Sequence, residues 1–274
     1  MGSPRRAASG LRVEAERGSW FDWRDGAAYA PLLRADRSLF AWEWLRRDGD
    51  YRAAAEAALE GAGGEPRDDL AAAVFGLIAF EDPRLPVPHA RPLWRADVHA
   101  LVLPAARGEG ASVADQFDLC RLAHFGRLIA TEGAEHLLLS DGLRSIRLDS
   151  PPGAFSGGPA CLRYVVEGLA AAAPRLLTLR RFLALCGSGH FSRLLHPDEP
   201  RARRWILMLR AWDGLAAGAG QREIAGELLS RSASSPRWRD RESSVRSQAQ
   251  RLVKSACAIA SGGYRAFLTA KQGR

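Results

Sequence analysis

Between Asp82 and Pro92 the chain carries prolines at 83, 86, 88 and 92. Each fixes φ, lacks an N–H donor and pushes the residue before it out of the helical region. The segment is therefore read as an extended connector, and it separates two differently patterned stretches. On its N-terminal side lies an aromatic-dense run, Trp20, Phe21, Trp23, Tyr29, Phe40, Trp42, Trp44 and Tyr51. Spacings of two to four suit short helices, expected at Ala27 to Arg34, Ser38 to Arg47 and Tyr51 to Leu59. Gly61, Gly63, Gly64 and Pro66 break the chain, and Leu70 to Phe80 resumes an apolar segment. Residues 1–18 have no apolar period and read as a mobile tail.

Beyond the connector the pattern is β-rich. Strands are expected at Asp97 to Leu103, Arg127 to Thr131, His136 to Ser140 and Leu143 to Leu148. The last two are joined by Asp141-Gly142, a dipeptide suited to the φ > 0 positions of a hairpin turn. Ser150 to Pro159 ends this region. Helices are then expected at Cys161 to Ala172, Arg175 to Cys186, Arg201 to Ala216, Gln221 to Leu229 and Arg241 to Ala260, the last stopped by Gly262-Gly263. The fold class that follows is α+β and mostly helical. It comprises a helical N-terminal domain (19–96), a small antiparallel β meander (97–149) and a helical C-terminal domain (160–274), with no internal repeat.

Composition narrows the functional classes. Hydrophobic residues make up 47% and charged residues 26% of the 274, which fits a folded soluble chain and excludes wholesale disorder. No apolar run approaches the roughly 18 residues that cross a bilayer, and the charged N-terminus is unlike a signal peptide, so a cytoplasmic protein with no membrane partner is expected. Cys120, Cys161, Cys186 and Cys257 sit among Leu, Val and Ala at wide spacing and read as reduced core thiols, with neither a disulfide framework nor a zinc site. The net charge of +8 is unevenly placed. Residues 175–274 hold 19 Lys and Arg against 7 Asp and Glu, a net of +12, whereas residues 1–174 hold 20 against 24. Concentrated positive charge binds polyanions by releasing their counterions, so the basic end points to nucleic acid.

The C-terminal helices give that charge a shape. In Gln221 to Leu229 the apolar residues 224, 225, 228 and 229 form one face, and Gly214, Gly218 and Gly220 separate this helix from the one before it. In the longer helix that follows, stepping 100° per residue from Val245 places Ala249, Leu252 and Ala256 in one stripe. Ser243, Ser247, Gln250 and Lys254 fall opposite, flanked by Arg246 and Arg251. Arg and Gln make paired hydrogen bonds to guanine and adenine edges, and Ser and Lys reach phosphates or bases, so this face has the chemistry of a groove reader. Arg222, at the start of the shorter helix, joins the candidate DNA contacts. An R-E-I-A helix followed by S-x-V-x-S-x-x-x-R-L-x-K resembles the helix-turn-helix of sigma-factor and response-regulator DNA-binding domains, whose second element is the recognition helix. Gly220 stands where such helices begin with Ser, and Ser230 to Arg239 is longer than the usual turn.

A broader resemblance rests on Trp23-Arg24-Asp25 with Ala27-Ala28-Tyr29, on Phe40 to Arg47 with Tyr51-Arg52, and on Phe80 to Pro83 with Arg91 to Trp94. These strings resemble the N-terminal transcriptional-regulator-like domain of a proteobacterial family. Glu135 to Asp149, Arg163-Tyr164 with Glu167-Gly168, Pro200 to Trp205, Gln221 to Leu229 and Gly262 to Arg265 are similar to its C-terminal partner, a domain of unknown function. The resemblance implies a DNA-binding transcriptional regulator of the kind found on integrative and conjugative elements, where such proteins activate excision or transfer genes.

Enzyme signatures are absent from the sequence. His89, His99, His124, His136, His190 and His196 show no ligand spacing. Gly187-Ser188-Gly189-His190 lacks the G-x-S-x-G string, and Gly61 to Gly64 is not followed by Lys-Ser or Lys-Thr. No catalytic residue, cofactor or metal is therefore expected. Two readings stand: a sequence-specific activator that binds double-stranded DNA, and an adaptor or anti-activator that binds another regulator. The basic face of residues 246–254 favours the first, since an adaptor more often presents apolar anchors. Two copies reading a two-fold site imply a homo-oligomer, and the acidic N-terminal half is a plausible docking surface for RNA polymerase or another regulator.

Overall fold

The computed structural model describes residues 22–61, 70–110, 112–229 and 238–269, with backbone alone for Gly61 and residues 238–244. The expected tail lies outside the described residues. The chain forms two compact units: residues up to Ala28 with Leu207–Ala256, and Tyr29–Ile206 with the residues from Cys257 onward.

The larger unit is built on a six-stranded mixed sheet, β1 (Val102–Arg107), β2 (Gln116–Phe117), β3 (Gly126–Ala130), β4 (Glu135–Ser140), β5 (Ser145–Ser150) and β6 (Ala160–Tyr164). The strand order is β2-β6-β1-β5-β4-β3. The antiparallel run β3-β4-β5 matches the expected meander. The rest corrects it. β1 pairs parallel to β5, with Val102 against Arg147, and β6 pairs antiparallel to both β1 and β2. The strand expected from Asp97 starts late because residues 95–99 turn: Asp97 accepts from the Arg95 guanidinium, and His99 N–H donates to Arg95 O at 3.0 Å. The helix expected from Cys161 is instead β6, whose Leu162 is buried while Arg163 is exposed, and whose continuation is broken at Gly168, φ 76°. Helix α4 (Leu169–Ser188) then runs unbroken through Pro174, where two helices were expected.

Alternation in the strands sorts the core. Leu137, Leu139, Ile146 and Leu148 face Phe182 and Leu185 of α4, together with Phe117, Phe155 and Phe191. Leu138 and Ile129 face the other way, onto Ile78, Ala79 and Leu93. Each such buried aliphatic contributes about 1.5 to 3 kcal/mol relative to exposure.

The N-terminal helices are a 3-10 helix at Gly26–Arg34, α1 (Arg37–Leu45), α2 (Gly49–Gly61) and α3 (Leu70–Val74). The last is much shorter than the expected apolar segment, and the chain then bridges Leu77 to Trp94. The described aromatics of the run, Trp23, Tyr29, Phe40, Trp42, Trp44 and Tyr51, are buried, while Trp20 and Phe21 lie outside the described residues. Phe40 meets Trp205 edge-on at 5.0 Å, Trp42 Nε1 donates to Leu85 O at 2.9 Å, and Tyr51 Oη donates to Glu81 O at 2.7 Å. Asp36 precedes α1 without capping it, because its carboxylate accepts from Ser145 N–H at 2.7 Å and so ties α1 to β5. The four cysteines are free thiols but not core residues: Cys120 and Cys186 are exposed, and Cys161 and Cys257 half-buried.

Buried charge gives this unit a pH dependence. His99 is buried near the equally buried Arg147, which donates to Asp149 Oδ1 at 2.6 Å. Burial, reinforced by the Arg147 charge, pushes His99 from 6.5 down to about 4. Between those two values the unfolded chain holds the proton and the folded chain does not, so stability falls as pH drops from 6.5 towards 4. The expected loss is about 3.5 kcal/mol over the whole range, two and a half pH units at about 1.4 each. Urea unfolding at pH 7, 6, 5 and 4.5 should show this decline and a clearly flatter one in His99→Gln; equal slopes would contradict it.

Candidate nucleic-acid interface

The smaller unit is helical. Its elements are α5 (Ala202–Ala216) from Leu207 on, α6 (Gln221–Leu229), and α7 (Trp238–Ala260) up to Ala256. Gly214 lies inside α5 and not in the turn that the sequence suggested. The turn is made by Ala217 to Gly220. Gly218 has φ 82° and donates to Leu215 O, while Ala219 N–H donates to Gly214 O at 2.8 Å. This is the paired closure that satisfies the last carbonyls of a helix, and it needs a residue without Cβ strain at 218. Gly220 O accepts from Ile224 N–H at 3.0 Å and starts α6 without a side-chain cap.

The unit's core is closed by a segment far away in sequence. Trp23 is 1% exposed, and a Cβ on Gly214 would lie 3.2 Å from both the Trp23 ring and Ile224 Cγ1. The missing side chain at 214 is thus what lets indole and α6 approach α5. Arg210 holds the segment by its backbone, Nε to Trp23 O and Nη2 to Arg24 O, both at 2.7 Å. Arg24 lies 4.5 Å over the Trp23 ring and forms an ion pair with Glu223 of α6. The sequence placed Trp23 and Arg24 with the N-terminal aromatics, and no local period links them to residues 210–224.

The described side chains of α7 sort between buried and exposed as the helical wheel expects. Ala249, Leu252, Val253 and Ala256 are buried, and Val245 is half-buried. Arg246, Ser247, Gln250, Arg251 and Lys254 are all exposed on α7, and Arg222 is exposed in the first turn of α6. Ser243 lies on α7, but its side chain is outside the described residues, as is the connection 230–237. Residues 245–260 contain three cations and no acid. Among the described residues, none of Arg222, Arg246, Arg251 and Lys254 has a carboxylate within ion-pair distance. From Arg246 to Lys254 the face runs about 12 Å along the helix axis, close to the width of the B-DNA major groove.

Among the described residues no three His, Cys, Asp or Glu side chains converge as a metal site would need, and no helix is long and apolar enough to cross a membrane.

An exposed cationic helix face is a surface to which polyanions are attracted. Two family models match the chain in keeping with that. Residues 166–269 match the model described as "T6SS, Transcription factor, DNA binding domain", and residues 22–75 match the "Proteobacterial transcriptional regulator-like domain". Comparison with the curated proteins and with the solved structures gave no match.

Proposed function

We propose that this chain is a sequence-specific DNA-binding transcriptional regulator that inserts α7 into the major groove. The observation that carries this is the exposed, acid-free arc of Arg246, Ser247, Gln250, Arg251 and Lys254, inside the stretch matched by a DNA-binding-domain model. α6 lies across the backbone in this reading, with Arg222 on a phosphate. The chain acts as an activator, and its targets are excision or transfer genes of a mobile element, a choice resting on the family resemblance alone. No catalytic step or cofactor is assigned to it. Footprinting on duplexes from the chain's own genomic neighbourhood tests the reading. A protected site should appear whose affinity falls about tenfold or more in the Arg251→Ala, Lys254→Ala double variant, given that charged contacts to phosphate dominate affinity. A protected site that the double variant binds unchanged would remove α7 from the interface. Binding to no duplex, together with capture of another regulator, would favour the adaptor.

A further inference from the structure

Between α1, the stretch at residues 90–99 and the β4–β5 hairpin lies a cavity of about 10 Å³, lined in part by Ser38, Arg91, Trp94, His99, Ser140 and Arg147. Such a volume admits a single species of about water's size, a monatomic ion included. Its walls are rich in donors. Trp94, His99 and Arg147 are 2%, 6% and 1% exposed, and among the described residues Trp94 Nε1, His99 Nδ1 and Arg147 Nε have no hydrogen-bond partner. The rest of the Arg147 guanidinium is committed: Nη1 donates to Asp149 Oδ1 and to Leu148 O, and Nη2 donates to Trp94 O at 3.3 Å. Ser140 Oγ accepts from Gly142 N–H at 3.0 Å, which leaves its own proton to give. Among the described residues, the lining includes two arginines and no carboxylate.

We propose that this cavity is a binding site for one chloride-sized monovalent anion. The count of hydrogen bonds selects it over water. Arg147 Nε–H, Trp94 Nε1–H and Ser140 Oγ–H all donate, and His99 Nδ1 joins them when it carries the ring proton. A water accepts two hydrogen bonds and leaves a buried donor unmet, at a cost in free energy, whereas a halide accepts from every donor around it. Charge agrees with the count. Of the charges that act on His99, Arg147 outweighs Asp36 and Arg181 outweighs Asp149, so the net field there is positive. Size excludes the larger oxyanions. Held there, the ion ties Trp94 and His99 to the β4–β5 hairpin through Ser140 and Arg147.

The inference goes beyond the regulator reading and does not depend on it, so no DNA enters its test. A one-atom ligand sits under a low ceiling of binding energy, which puts the Kd on the order of 0.1 M. Chloride at about 1 M then raises the folded-to-unfolded ratio about tenfold. Urea unfolding of the full chain in sodium chloride and in sodium gluconate of equal ionic strength reads this gain, and comparison between variants cancels general salt effects. Trp94→Phe deletes a donor and keeps a ring. Trp44→Phe is its control, because Trp44 Nε1 is also buried without a partner among the described residues, yet Trp44 does not line the cavity. The gain of chloride over gluconate should be about tenfold larger in wild type and Trp44→Phe than in Trp94→Phe. Independently of any variant, a crystal soaked in sodium bromide should show an anomalous peak among Trp94, His99 and Arg147, and this decides alone if Trp94→Phe does not fold. A gain equal in all three chains, a gain lost equally from both tryptophan variants, or a bromide-soaked crystal with only water in the cavity would overturn the proposal.

Discussion

Replacing Trp23 by alanine should cost the smaller unit about 3 to 5 kcal/mol, the range for emptying a buried aromatic site. The indole is almost fully enclosed, and Gly214 supplies no side chain that might refill the space. Trp23→Phe should recover part of the loss. Arg24→Ala should cost under about 1 kcal/mol, because its pair with Glu223 is half exposed and screened by solvent. Urea unfolding followed on the C-terminal helices measures all three, and a loss below 1 kcal/mol for Trp23→Ala would show that the segment is dispensable. The same contact governs truncation. A chain begun near Asp97 lacks Trp23 and Arg24, and also Phe40, which packs on Trp205 and Phe267. Such a fragment should bind no DNA, so the binding helices cannot be freed from the N-terminal segment as their sequence contiguity suggests.

The second large effect is expected at the β4–β5 hairpin. Gly142 has φ 96°, and a Cβ there would lie 2.4 Å from Pro88 O. Backbone strain of about 1 to 2 kcal/mol then adds to an overpacking cost of about 1 to 3, so Gly142→Ala should lose about 2 to 5 kcal/mol. Around it the turn is fully committed. Asp141 Oδ1 accepts from the N–H groups of Leu143 and Arg144, and Leu143 O accepts from Asp36 N–H at 2.7 Å. Gly133, in the β3–β4 turn, has nothing within 4 Å of a built Cβ and is the control: Gly133→Ala should stay within about 0.5 kcal/mol. Comparable losses at the two glycines, read as shifts in urea midpoint, would contradict the assignment.

What could be read from the sequence was local and periodic. The bounds of α6, the buried stripe Ala249, Leu252, Ala256 and the outward side chains of α7 all follow from a 3.6-residue period, and β4 and β5 from alternation around Asp141-Gly142. What could not be read was decided by distant partners. Cys161 to Tyr164 is too short for its pattern to separate helix from strand, and it becomes a strand because β1 offers an edge at Ala105 to Arg107. β1 lies parallel to β5, a pairing that no turn residue announces. Trp23 is indistinguishable in sequence from its aromatic neighbours, yet it packs against residues almost two hundred positions away. The one signal for it was a gap in a pattern, a glycine at 214 inside a helix, which reads equally as a turn until something is seen to fill it.

The central claim is that α7 reads base edges through Arg246 and Gln250 and holds the backbone one turn further on, through Lys254. Equilibrium binding of wild type, Arg246→Ala, Gln250→Ala and Lys254→Ala to the footprinted duplex and to a scrambled one, across a salt series, measures it directly. Arg246→Ala and Gln250→Ala should each weaken specific binding by about 1 to 3 kcal/mol while leaving the scrambled duplex much less affected. Lys254→Ala should weaken both duplexes equally and lower the salt slope by about one unit. A uniform loss on both duplexes for Arg246→Ala and Gln250→Ala would contradict the account, because α7 would then be gripping phosphate and some other surface would be reading the sequence.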